Sequence, residues 1–198
     1  MVLESRQSVR TSLQGGGYRG VPGSGRSGPE SSDDEILVWI EAVGETGKWG
    51  ERESQIKILN QVDKHFEPRL LPIVRGGTVR IKNSDPIYHN VFSLSTVKRF
   101  DVGRRSPKEY IDVQFDQPGT VDIFCDIHSS MHAVVKVLPN RTLKWKKLKG
   151  SGGFMFRDVP QGDYRIHFYA VGNRESSVEI SAMNTRKITL QTIRLGAP

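Results

Sequence analysis

Cysteine occurs once in the 198 residues, at position 125, so no disulfide closes within the chain and the usual sequence sign of an oxidising compartment is missing. No run of about 18 apolar residues is present, the length a bilayer-spanning helix needs. The opening stretch MVLESRQSVRTSLQGGG lacks the apolar segment of a secretion signal. That leaves either a cytosolic protein or one whose signal was removed ahead of this numbering. No amphipathic helical pattern of useful length appears. Helix-turn-helix, RNA-binding-sheet and zinc-finger signatures are also lacking, so nucleic acid is not an expected partner. The chain is nevertheless basic, with 29 Lys and Arg against 22 Asp and Glu, which favours acidic partners. Part of the excess lies in NRTLKWKKLKG (140–150), where four lysines and one arginine surround Trp145; a solvated linker face is the expected meaning. The rest includes Arg6, Arg10, Arg19 and Arg26.

What is there is a succession of short β-type segments. Residues 1–34, rich in Gly, Ser and Arg, offer little to pack and read as a flexible arm that orders only on a partner. From Ile36 onward come ILVWIEAV (36–43), QIKIL (55–59), LLPIV (70–74), TVRIKN (78–83), HNVFSLS (89–95), YIDVQF (110–115), TVDIFC (120–125) and HAVVKVL (132–138). They are β-branched or aromatic, often alternating, and punctuated by Gly76-Gly77, Asp85-Pro86 and Gln117-Pro118-Gly119. This pattern predicts an all-β chain built as an antiparallel sandwich or barrel. A second β set follows in GGFMFRDVPQGDYRIHFYAVG (152–172), SSVEI (176–180) and KITLQTIRL (187–195), read as a smaller sandwich. The expected division is an arm over 1–34, a first domain over 35–139 and a second over 140–198.

The stretch TVDIFCDIHSSMHAVVKVLP (120–139) holds the lone cysteine, a histidine three residues later and a methionine three after that. Strand parity puts Cys125 on the face of Val121 and Ile123, and Met131 on the face of Ala133, Val135 and Val137. Both sulfurs are then plain core residues, which leaves His128 in a polar loop without a role. Upstream, NSDPIYHNVFSLS places His89 just after a turn. Two imidazoles, a thiolate and a weak thioether are the ligand set that holds copper in electron-transfer proteins. Zinc suits His89, Cys125 and His128 but not a methionine. A thiol enzyme with His128 as base to Cys125 needs an orienting group and an oxyanion hole, and no Gly-rich nucleophile turn is present. His65, His132 and His167 read as loop or solvent-facing residues, Trp39 and Trp145 as packing anchors.

The C-x2-H-x2-M motif behind a strand-borne His-Asn resembles the cupredoxins, the type 1 blue-copper family, with a short ligand loop like that of amicyanin-type members. FEPRLLPIVRGGTVRIKNSDPIYHNVFSLS and FDQPGTVDIFCDIHSSMHAVVKVLPN are similar to plastocyanin-like proteins of the methylamine-utilisation type. GGFMFRDVPQGDYRIHFYA is similar, more weakly, to a carboxypeptidase-regulatory-like domain. The resemblance implies a Greek-key cupredoxin sandwich followed by a smaller sandwich, with one type 1 copper held by His89, Cys125, His128 and Met131. It further implies that Asn90 ties the two ligand segments together by hydrogen bonds. Ser129 stands where family loops commonly carry proline. The implied function is single-electron transfer in the periplasm or another extracytoplasmic space, with a cytochrome or dehydrogenase as partner and no catalysis. The alternative is a structural or assembly module that keeps the fold and binds a larger complex through residues 1–34 and 140–150.

Overall fold

The structure, a computed structural model, describes residues 2–5, 10–11, 35–44, 56–149, 153–172, 175–182, 187–190 and 194–195. It is all-β, with no helix among the described residues. In chain order the strands are β1 (Val2–Ser5), β2 (Arg10–Thr11), β3 (Glu35–Ala42), β4 (Ile56–Val62), β5 (His65–Glu67) and β6 (Leu70–Val74). Next come β7 (Gly77–Asn83), β8 (Phe92–Ser93), β9 (Phe100–Asp101), β10 (Tyr110–Phe115), β11 (Gly119–Phe124) and β12 (His132–Leu138). The last are β13 (Thr142–Lys149), β14 (Met155–Phe156), β15 (Asp163–Ala170), β16 (Ser176–Ser181), β17 (Lys187–Leu190) and β18 (Arg194–Leu195). They form two compact units, one over Lys48–Thr142, the other over Met1–Gly47 and Leu143–Pro198.

The Lys48–Thr142 unit contains two sheets, ordered β10-β7-β4-β5 and β6-β12-β11-β8-β9. Period-2 alternation turns one face of each strand inward. Leu59, Val79, Ile81 and Phe115 from the first sheet join Ile73, Val121, Ile123, Ala133, Val135 and Val137 from the second in one buried cluster. Cys125 and Met131 belong to the same cluster, as parity predicts. Two pairings, β4 with β7 and β6 with β12, are parallel, a correction to the purely antiparallel expectation. Parallel neighbours need a long crossover, and residue alternation carries no information about strand direction. The predicted strand over 89–95 shortens to β8, with His89 held instead in an isolated bridge to Arg105.

The other unit contains the sheets β13-β3-β15-β16 and β14-β1-β17 and the pair β18-β2. Residues 35–42 were expected at the start of the copper domain. They pair instead with β15, from Ala42↔Tyr164 to Ile36↔Ala170. Six of the eight residues of β3 are buried, as suits a strand covered on both faces, but an apolar run does not name its neighbour. The basic stretch 140–150, expected as a solvated linker, contains β13. Of the arm expected to be flexible, residues 2–5 pair with β14 and β17 and residues 10–11 with β18; residues 12–34 lie outside the described set. His167, expected on the exposed face, is buried. Its ring stacks on Trp39, centroids 4.6 Å apart, and Nδ1 lies 2.9 Å from Glu175 Oε1. Nε2 is 3.1 Å from Glu41 Oε2, close enough for an ion pair but off the hydrogen-bonding direction.

Candidate metal centre

Cys125 immediately follows β11 and Met131 immediately precedes β12. The intervening loop therefore closes a hairpin paired from Gly119↔Val137 to Phe124↔His132. Met131 N donates to His128 O at 3.0 Å, turning the loop back so that the His128 ring faces the hairpin end. The other histidine arrives from a distant segment. His89 N donates to Arg105 O at 3.2 Å, and Arg105 N returns a bond to His89 O at 2.7 Å, fixing the backbone on both sides of the ring.

These elements bring three donors together. Cys125 Sγ lies 3.9 Å from His89 Nδ1 and 3.9 Å from His128 Nδ1, and the two nitrogens are 3.1 Å apart. An atom in the plane of those donors at about 2.0 Å from each nitrogen falls about 2.3 Å from the sulfur, which are the bond lengths of a metal ion held by imidazole and thiolate. His89 is fully buried and Cys125 nearly so, while His128 is half-buried. Among the described residues this is the one such grouping of His, Cys, Asp and Glu donors. The residues fit a soft transition-metal ion. Met131 is buried in the cluster that contains Cys125.

No protein-family model and no curated protein matches the chain. Among solved structures it is similar to a Cu(I) form of a mutant amicyanin, with 21% identity and a TM-score of 0.40 over 42% of this chain and 82% of that one. A purple cupredoxin from Nitrosopumilus maritimus is similar at 19% identity and a TM-score of 0.39, over 41% of this chain and 99% of that one. A copper-containing nitrite reductase from Thermus scotoductus SA-01 is similar at 22% identity and a TM-score of 0.41, over 50% of this chain and 25% of that one.

One residue of the site escaped the sequence reading. Asp85, taken there only as part of an Asp-Pro turn, accepts a hydrogen bond from His89 Nε2 at 2.7 Å through Oδ2. The same carboxylate accepts the backbone N–H of Asp63 at 2.6 Å and of Lys64 at 2.9 Å. Burial by itself raises the Asp85 pKa; the Lys64 amide, the His89 ring and the Asp63 amide outweigh it and hold the group below the ordinary carboxylate range. The available signal was its position, four residues ahead of the candidate ligand.

Asn90 does not play the expected part. It is buried, but its side-chain oxygen accepts from Val91 N at 2.7 Å and its carbonyl from Gln61 Nε2 at 3.4 Å, and among the described residues no hydrogen bond joins it to the loop of Cys125. Asn83 supplies the tie beneath His89, donating through Nδ2 to Ile87 O at 2.8 Å and Arg105 O at 3.1 Å. His65 is exposed in β5. His132 is half-buried, hydrogen-bonded to Asp122 at 2.9 Å and stacked on Phe124 at 4.9 Å. Around His128 lies an open groove of about 460 Å³ lined by Ile87, Tyr88, Arg104 and Ile127.

Proposed function

We propose that the Lys48–Thr142 unit is a type 1 copper protein that carries single electrons between redox partners, and that His89, Cys125, His128 and Met131 would hold the copper. The observation that carries this reading is the convergence of two imidazole nitrogens and one thiol sulfur on a single point at metal bond lengths. Copper bound there supplies a one-electron couple between its two oxidation states. The thiolate of Cys125 is the soft donor and the imidazoles serve both states. Copper outcompetes zinc at such nitrogen and sulfur sites. The fold fixes two of the donors in the core: Cys125 closes a hairpin, His89 is bridged to Arg105, and apolar neighbours surround the sulfur. A cage that stays put leaves little to rearrange when charge changes. A buried thiol also makes a poor nucleophile, which speaks against a thiol enzyme.

His128 is the side chain of the set that meets the outside, in a groove walled by Ile87, Tyr88 and Ile127. An apolar rim around a ligand edge suits brief docking of a redox protein such as a cytochrome or dehydrogenase, and Arg104 favours an acidic one. An extracytoplasmic, periplasm-like location accompanies this reading through the blue-copper resemblance, and the carboxypeptidase-regulatory-like reading of the second unit rests on its sequence stretch in the same way. A copper titration is the test. An intense visible thiolate-to-copper band with narrow hyperfine splitting, abolished in Cys125→Ser, is the expected result; a wild-type protein that stays colourless and redox-silent with copper overturns it.

A second reading, an assembly module that keeps the fold, draws on the other unit. There a groove of about 620 Å³ is lined by Lys144, Trp145, Lys146, Met155 and Arg157, cationic chemistry suited to an acidic partner protein. Assembly retained by colourless Cys125→Ser protein supports this role.

A further inference from the structure

Resting on the copper reading, we propose that Asp85 is a positioning residue: a fixed negative charge behind His89 that sets its tautomer for metal binding and biases the site toward oxidised copper. His89 is fully buried, so its Nε2–H has no water to meet; the acceptor is Asp85 Oδ2 at 2.7 Å. A buried carboxylate accepts only, so the proton sits on Nε2. Nδ1 is the nitrogen this bond turns toward Cys125 Sγ and His128 Nδ1. The ring orientation that ligation needs is thus set before any metal arrives.

The carboxylate is itself held by built geometry. The β4–β5 hairpin turns through Asp63 and Lys64, both left-handed at φ 51° and 58°, between the paired residues Val62 and His65. A two-residue turn with positive φ at both positions is of the I′ kind, and here it points two successive amide N–H groups at the two oxygens of Asp85. Asp85 N in turn donates to Asn83 Oδ1 at 3.0 Å. A hairpin tip far along the chain from the thiol therefore orients a ligand through one carboxylate. His128 has no such partner among the described residues, its close polar contacts being those of Nδ1 with Cys125 Sγ and His89 Nδ1. One histidine is locked and the other is left free to adapt.

A full negative charge one imidazole away favours the higher charge on the metal. Replacing Asp85 by asparagine removes the charge and offers an amide N–H that competes for the wrong tautomer. In Asp85→Asn the affinity for Cu(II) is expected to fall 10- to 100-fold and that for Cu(I) by less. A tenfold change in their ratio raises the midpoint potential by about 59 mV for one electron. Asp85→Glu, which keeps the charge, is expected to return part of the potential. A separate readout needs no copper: nitrogen-15 spectra of the metal-free wild-type protein should show His89 protonated at Nε2. Copper binding with an unchanged potential and affinity in Asp85→Asn overturns the proposal, and so does a wild-type His89 protonated at Nδ1. The Nε2–H tautomer in a protein that takes up no copper supports the positioning of His89 and sinks the copper reading instead. If Asp85→Asn does not fold, the wild-type tautomer decides by itself.

Discussion

His89 Nδ1 and His128 Nδ1 sit 3.1 Å apart across 39 residues of chain, yet the two rings differ in what surrounds them. His89 is sealed in the core, and His128 lies at the mouth of a groove. Removing either ring opens a hole, but only one of the holes faces solvent. With copper present, His128→Gly is expected to lose the visible band and regain it when free imidazole at millimolar level diffuses into the groove. His89→Gly should not recover, since its site has no entry path. Absorption spectra with and without imidazole check this; equal rescue of both variants sinks the assigned asymmetry.

The groove beside His128 predicts how partners sense the protein. Tyr88 is 59% exposed and Ile127 39%, large apolar side chains that face solvent beside His128. Ile127→Ser is expected to slow electron exchange with an acidic partner while leaving the copper spectrum in place. Arg104→Glu should slow association further and flatten its dependence on ionic strength, because rim charges act on encounter rates. Stopped-flow rates at two salt concentrations distinguish the two effects.

Lys64 has a left-handed backbone, φ 58°, which costs a non-glycine residue about 1 kcal/mol. Lys64→Gly keeps the N–H that reaches Asp85 and removes that cost, so unfolding should require up to about 0.6 kcal/mol more after the entropy glycine adds to the unfolded chain is subtracted. Urea denaturation of the metal-free protein measures it. A loss of stability shows that the lysine side chain contributes more than the turn geometry allows.

Arg80 and Asp112 face each other across the β7–β10 pairing, with Nε and Nη2 each 2.8 Å from a carboxylate oxygen. The hydrogen bonds from Arg80 depress the Asp112 pKa, partly opposed by desolvation and reinforced by the guanidinium charge. A depressed folded-state pKa gives stability that is present above the ordinary carboxylate value of about 3.9 and lost as pH falls below it. The stability difference between wild type and Asp112→Asn should therefore be constant from neutral pH to about 5 and shrink below about 4. The pair is partly exposed, 35% and 38%, so the difference should be small and shrink in high salt as well. A difference that grows on acidification contradicts the assigned direction.

Much of the site was legible in the order of residues alone. Period-2 parity put Val121, Ile123 and Cys125 on one face, and in the fold they share one core with Met131. The C-x2-H-x2-M spacing and the upstream His-Asn named three side chains whose donor atoms meet. Strands such as Leu70–Val74, Tyr110–Phe115 and His132–Leu138 begin and end where the β-branched runs do, because local alternation and turn residues suffice to mark them.

What remained hidden depends on contacts between segments far apart in sequence. An apolar run such as 36–40 declares that it will be buried but not against what, and only the pairing with β15 takes it out of the Lys48–Thr142 unit. The lysines of 142–149 read as a solvated stretch because their charge masks a strand edge, and His167 reads as exposed because its stack on Trp39 is set by the register His167↔Trp39. Asp85 shows the division most plainly. Its place four residues before His89 is written in the chain, whereas its role follows from two amides delivered by the β4–β5 turn. Sequence determined which donors the protein owns and which face each takes; tertiary structure decided which of them meet, since pairing partner and strand direction are settled by the whole fold's burial and not by any one segment.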